Sequence, residues 1–173
     1  MGEGQGEGET GDKRVGSPVP TFRIPNMPFL IPKHVLANII SHALETDPEE
    51  CCGVLIGVEN SAEEARRIQN NHSQPIRRYE MDPIALARAE SEADVKGRRI
   101  VAIYHSHTHS QAYPSQTDVD NAVQSWWTEP YYVLISLVEK TRPIVRAYRI
   151  SEDATVTETP ITTDGQPYIE TTR

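Results

Sequence analysis

Ile100-Val101-Ala102-Ile103-Tyr104-His105-Ser106-His107, followed by Ala112-Tyr113-Pro114-Ser115-Gln116-Thr117-Asp118, is the stretch from which both fold and chemistry are read. Its first half is β-branched and apolar, the composition of a buried strand. A strand alternates its side chains between two faces, so His105 and His107 share one face and Ser106 takes the other. The second half places an acid on the first turn of a helix that Ser115 opens. Two neutral imidazoles and a carboxylate would leave a bound Zn2+ with residual positive charge and an open fourth position, the mark of a catalytic rather than a structural zinc. One such ion per chain, with water as its fourth ligand, is the expectation.

Each part also has a structural reading. Ser115-x-x-Asp118 ahead of Val119, Ala122 and Val123 resembles a capping box, in which the serine caps a helix and the acid reaches back. That role competes with metal binding for Asp118. A lone His-x-His is more often an ordinary strand pair. Their joint occurrence favours the metal, because two imidazoles on one strand face, a short loop and an acid on the next helix can converge on a point that independent structural roles would not require. Metal-assisted hydrolysis also needs a proton carrier. Glu50, just before the apolar run Cys52-Gly53-Val54-Leu55-Ile56-Gly57-Val58, is the candidate on a neighbouring strand.

Outward from this centre the chain alternates strand and helix signals. Thr21-Phe22-Arg23-Ile24 and Phe29-Leu30-Ile31 suggest short strands. Pro32 opens a helix in which Val35, Leu36, Ile39, Ile40, Ala43 and Leu44 recur at amphipathic spacing, closed by Asp47-Pro48. Residues 52–58 read as a central strand and residues 65–69 as its polar antiparallel neighbour. Asp82-Pro83 caps a second helix that Gly97 ends. A third, short helix follows Ser115, and residues 131–138 and 144–150 form an antiparallel pair. The order β-α-β-β-α-β-α-β-β predicts an α/β sandwich with a mixed, mostly antiparallel sheet flanked by helices, not a doubly wound parallel one. Polar, Thr-rich sequence after Glu152 suggests an edge strand and then a polar tail over residues 161–173. Residues 1–20 are rich in Gly and Glu and too poor in apolar side chains to order themselves. Residues 21–160 are therefore read as the folded domain.

At 173 residues the chain has room for one domain. A net charge of −8 argues against nonspecific nucleic-acid binding, since Arg77-Arg78 is too short a basic run to neutralise a phosphate backbone. Neither an export signal nor a membrane span is legible, and the adjacent Cys51 and Cys52 suit a reducing cytoplasm better than a disulfide scaffold. His34, His42 and His72 lack partners at ligand spacing and read as incidental, and His109 as a loop residue. Trp126 and Trp127 read as core packing, with a cleft rim or a homodimer contact as their other roles.

Glu50-Cys51-Cys52-Gly53 together with His105-x-His107, seven residues, Ser115, two residues and Asp118 resembles the signature of the JAMM (MPN+) metalloproteases. The resemblance covers residues 22–150 and selects Glu50 over Glu49. It implies the cytidine-deaminase-like JAMM/MPN α/β fold, a zinc held by His105, His107 and Asp118, Glu50 as general base and acid, and Ser115 as donor to the oxyanion. The run around Tyr104 and residues 112–119 is further similar to the bacterial Mec-like branch, as are residues 132–136 and 146–150 and the spacing of Asn71 and Tyr79. That branch implies a partner, a ubiquitin-like sulfur-carrier protein with a C-terminal Gly-Gly, from which cysteine is released in cysteine biosynthesis. Thr108 stands where many JAMM members carry proline. A broader isopeptidase acting on ubiquitin-like conjugates, or a noncatalytic MPN scaffold, are the alternative readings.

Overall fold

The computed structural model describes Met1 and residues 27–168. The Gly/Glu-rich tail and the strand expected at residues 21–24 lie outside the described residues. Within them the expected order appears as β1 (Phe29–Leu30), α1 (Lys33–Thr46), β2 (Cys52–Val58), β3 (Ser61–Ile68), α2 (Pro83–Val95), β4 (Arg99–His107), α3 (Gln116–Gln124), β5 (Tyr131–Ser136) and β6 (Ile144–Ile150). Three more strands follow: β7 (Val156–Thr159), β8 (Ile161–Thr163) and β9 (Gln166–Pro167). All strands join one nine-stranded sheet in the order β7-β6-β5-β4-β2-β3-β1-β8-β9. It is mixed and mostly antiparallel: β4 runs parallel to β5, and β1 runs parallel to β3 and β8.

Alternation along the central strands assigns the two faces. Leu55, Ala102 and Tyr104 face one side, where Val35, Leu36, Ile39 and Ala43 of α1 cover them. Val54, Ile56 and Ile103 face the other, where α2 supplies Ala89 and Ala93 and α3 supplies Val119 and Ala122. The result is a three-layer sandwich. Each fully buried Leu or Ile contributes about 1.5–3 kcal/mol by leaving water, so these two faces are the main source of its stability. The ladder between β2 and β4 steps from Leu55↔Ala102 to Ile56↔Ile100, leaving Val101 as an extra residue. Beyond this bulge Ile103, His105 and His107 stay in phase on the α3 side.

Departures from the expected pattern have local causes. Strand β3 begins at Ser61, earlier than expected, because it hydrogen-bonds to β2 along its whole length although its outward residues are polar. Residues 161–168 belong to the sheet, not to a tail: Ile161 is buried, β8 pairs with β1, and Tyr168 packs on the core and donates its N–H to the Ile161 carbonyl at 2.9 Å. Trp126 is not core. It is 78% exposed with φ 56°, the left-handed residue after α3, while Trp127 turns back onto the α3 cluster. Bonds from Trp126 N to the Val123 carbonyl and from Trp127 N to the Ala122 carbonyl close a Schellman turn, which points the first indole outward. No described helix is long and apolar enough to cross a membrane.

Gly53 faces Tyr104 across the β2–β4 ladder, and a Cβ built on it would lie 2.6 Å from the Tyr104 ring and 2.4 Å from the Arg66 carbonyl. Gly53→Ala is expected to cost about 1–3 kcal/mol by overpacking, read as a lower denaturant midpoint. The Tyr104 hydroxyl bonds His42 Nδ1 at 2.8 Å, and burial, with Arg67 nearby, lowers the His42 pKa to about 4. The folded chain therefore keeps His42 neutral where the unfolded chain protonates it, so its contribution is present above pH 6.5 and is lost as pH falls towards 4. His42→Gln should flatten that part of the stability–pH curve relative to the parent; an unchanged slope would remove His42 as its cause.

Candidate active site

The carboxyl end of β4 delivers His105 and His107 to the α3 side of the sheet, and both are buried. Their Nε2 atoms lie 3.0 Å apart. Asp118, on the first turn of α3, places Oδ1 3.4 Å from His105 Nε2 and Oδ2 3.6 Å from His107 Nε2. Ligand atoms of these three residues all fall within 4.8 Å of one another. The capping box is present as well. Ser115 Oγ accepts from the Asp118 N–H at 3.2 Å, and Asp118 Oδ2 accepts from the Ser115 N–H at 2.7 Å and from its hydroxyl at 2.6 Å. Helix capping and convergence on the imidazoles, set against each other in the sequence, are met by one carboxylate.

The electrostatics suit a cation. His107 Nδ1 lies 2.8 Å from the Gln111 carbonyl, which can only accept, so the proton sits on Nδ1 and Nε2 offers a lone pair to the cluster. Burial opposes ionisation of Asp118, yet the two imidazoles and Ser115 outweigh it and hold the carboxylate far below its ordinary range. The positive end of α3 acts in the same direction. Burial lowers the His105 pKa against the pull of Asp118, keeping that ring neutral. His105 Nδ1 is buried without a hydrogen-bond partner among the described residues. A buried carboxylate beside two inward-facing imidazole nitrogens is a donor set that fits a divalent metal ion.

Glu50 lines the same cavity as His107, Ser115 and Asp118 and is itself buried. Desolvation raises its pKa to about 7, with His107 opposing and Asp118 adding to the shift. Ser106, between the two histidines, holds Glu50 in place from the opposite face: the Cys51 N–H donates to Ser106 Oγ at 2.9 Å, and the Ser106 N–H donates to the Cys51 carbonyl at 3.1 Å. The thiols take no part in the cluster, and burial pushes Cys51 up to about 11. His109 is exposed and bonded to Thr108 Oγ1, outside the convergence.

Other contributors lie outside the residues that the sequence reading assigned to the site. Tyr79 stacks on His105 with ring centroids 4.3 Å apart. Asn70, not the neighbouring Asn71, organises the loop that carries Tyr79. Its amide donates to the Glu50 and Arg78 carbonyls at 2.9 and 3.0 Å, and its Oδ1 accepts from the His72 and Glu80 N–H groups. His72, read as incidental, lines the cleft. Tyr79 entered the sequence reading only through its spacing from Asn71; its stacking on His105 and the bonds of Asn70 arise from a loop folding back over β4.

The family described as prokaryotic homologs of the JAB domain matches residues 32–151. The chain belongs to this family. It is a JAMM-type hydrolase, and its sandwich is the JAB fold that the resemblance implied. Over 129 residues this JAB-family chain is 40% identical to a CysO-cysteine peptidase from Mycobacterium tuberculosis, covering 71% of the chain and 82% of that protein. A desampylase from Pyrococcus furiosus is 29% identical over 133 residues, covering 77% of the chain and 89% of the relative. Among solved structures, protein DSY2949 from Desulfitobacterium hafniense superposes with a TM-score of 0.69 at 26% identity, covering 79% of this chain and 93% of the other.

Asn70→Ala should destabilise the chain by about 1–3 kcal/mol, because several backbone groups lose their partner at once. Hydrogen exchange at His72 and Glu80 should accelerate with it; unchanged protection there would show that the loop is held by other contacts.

Proposed function

We propose that this JAB-family hydrolase is a zinc-dependent peptidase that cleaves the amide after the C-terminal Gly-Gly of a ubiquitin-like sulfur-carrier protein and releases cysteine. The observation that supports it is the meeting of His105, His107 and Asp118 in one cleft with Glu50 and Ser115, in a chain similar to a CysO-cysteine peptidase. His105, His107 and Asp118 would hold the ion, which when bound supplies a Lewis acid able to lower the pKa of water from about 15.7 towards about 7.

The remaining steps belong to the chain's own groups. Glu50, with a pKa of about 7, exchanges a proton near neutrality at little cost. It removes a proton from the attacking water and later delivers one to the departing amine nitrogen. The Ser115 hydroxyl donates to Asp118 Oδ2 at 2.6 Å. Rotated into the cleft, it donates instead to the carbonyl oxygen that becomes an oxyanion, a contact whose loss typically costs about 10²- to 10³-fold in turnover. Two glycines carry no side chains, so such a tail lies extended in a narrow cleft and is recognised through its backbone.

The test incubates zinc-loaded protein with a diglycine-tailed carrier joined to cysteine and follows release by mass spectrometry. Glu50→Gln should retain zinc and lose about 10²- to 10⁴-fold in turnover, the range for a general acid–base group. Asp118→Asn should lose zinc itself, measured by metal analysis. Wild-type turnover in Glu50→Gln, or hydrolysis indifferent to chelation, would overturn the reading.

A further inference from the structure

One rim of the cleft carries positive and N–H-bearing side chains that the proton transfers above leave unused. His72, Arg77 and Arg78, with the exposed acid Glu80, line the cavity that holds Glu50, His107, Ser115 and Asp118. Its volume of about 590 Å3 lies inside the roughly 300–1,000 Å3 range of small-molecule clefts. Arg66, Arg67, Arg98 and Arg146 each hold a carboxylate elsewhere on the molecule. Neither Arg77 nor Arg78 forms an ion pair among the described residues, Glu80 included. The Gln74 N–H donates to His72 Nδ1 at 2.9 Å, so the His72 proton sits on Nε2. In a chain of net charge −8, two unpaired guanidinium groups and an imidazole N–H on one cleft rim suit an anion.

Their position selects which anion. The Glu50 N–H donates to the Pro75 carbonyl at 2.7 Å, and the Asn70 amide holds the Glu50 and Arg78 carbonyls together. The acid assigned to the departing amine is thus tied to the loop that carries both arginines. A carboxylate bound there belongs to the leaving group. In an α-amino acid a single carbon separates amine and carboxylate, whereas a lysine amine stands off on a four-carbon stem and the lysine carboxyl within a protein is an amide.

We propose that Arg77 and Arg78, with His72, bind the free α-carboxylate of the amino acid released from the carrier tail, so that the cleft selects an α-amino-acid leaving group over a lysine side chain. This rests on the peptidase reading given above. It assigns the arginines to specificity, not to bond cleavage.

The test uses zinc-loaded full-length protein and three substrates that share one diglycine-tailed carrier. The tail is joined to cysteine, to cysteine amide, or to the ε-amine of a lysine peptide. Cysteine amide differs only in lacking the carboxylate. Loss of a charged hydrogen-bonded contact predicts that kcat/KM for the cysteine conjugate exceeds that for the amide by about 10- to 100-fold, mainly through KM. In the Arg77→Gln/Arg78→Gln double variant that ratio should fall towards unity through loss on the carboxylate substrate. Equal cleavage of cysteine and cysteine amide by the parent overturns the carboxylate site and leaves the peptidase reading standing. Failure to cleave any of the three overturns both. A double variant that keeps the parental ratio overturns the assignment to these arginines.

Discussion

The Asp118 carboxylate joins the start of α3 to the end of β4. One oxygen closes the capping box that starts α3, and both oxygens face the imidazoles at the end of β4. Helix start and strand end are thereby held in one geometry. Because α3 also packs Val119 and Ala122 onto the sheet, the carboxylate is positioned by core packing, not by a loop. Donors carried on a strand and a helix are held more precisely than donors on loops.

Such a cluster is costly on its own. A buried carboxylate loses its hydration, and two imidazole nitrogens 3.0 Å apart leave little room for protons between them. The Ser115 bonds and the helix dipole offset part of that cost, and a divalent cation at the same point would offset more. Glu50 stands in a different environment. Burial, with no cationic partner within bonding distance among the described residues, pushes its carboxyl up to about 7, while Asp118 stays ionised. Two carboxylates in one cleft with pKa values driven apart is the pattern expected where the two take different chemical roles.

What could be read from residues alone follows from periodicity. The apolar run into His105-x-His107 carried the strand and the shared face of its two histidines, and Asp82-Pro83 and Gly97 bounded α2 as capping chemistry requires. The failures were at positions where tertiary contact overrides composition. Ile161 belongs to the core, although the threonines around it read as a tail, because β1 presents an edge for β8 to join. Trp126 is aromatic and exposed because a helix-ending turn placed it in the left-handed region. Capping and convergence on the histidines looked like rivals for Asp118 because a sequence shows spacing but not that the oxygen closing the capping box also faces His107 while the other faces His105.

The two walls of the cleft are built on different principles. On one side β4 and α3 hold the histidines and Asp118 through sheet ladders and apolar packing. On the other, residues 69–82 are held by a hydrogen-bond network centred on Asn70, with Tyr79 stacked on His105 as the contact that ties loop to strand. Side chains on such a loop can change without disturbing the sheet. His105, His107 and Asp118 lie on the rigid wall, whereas His72, Arg77 and Arg78 lie on the replaceable one. A JAB chain acting on a different leaving group would therefore be expected to differ at the loop first, with the buried triad unchanged beneath it.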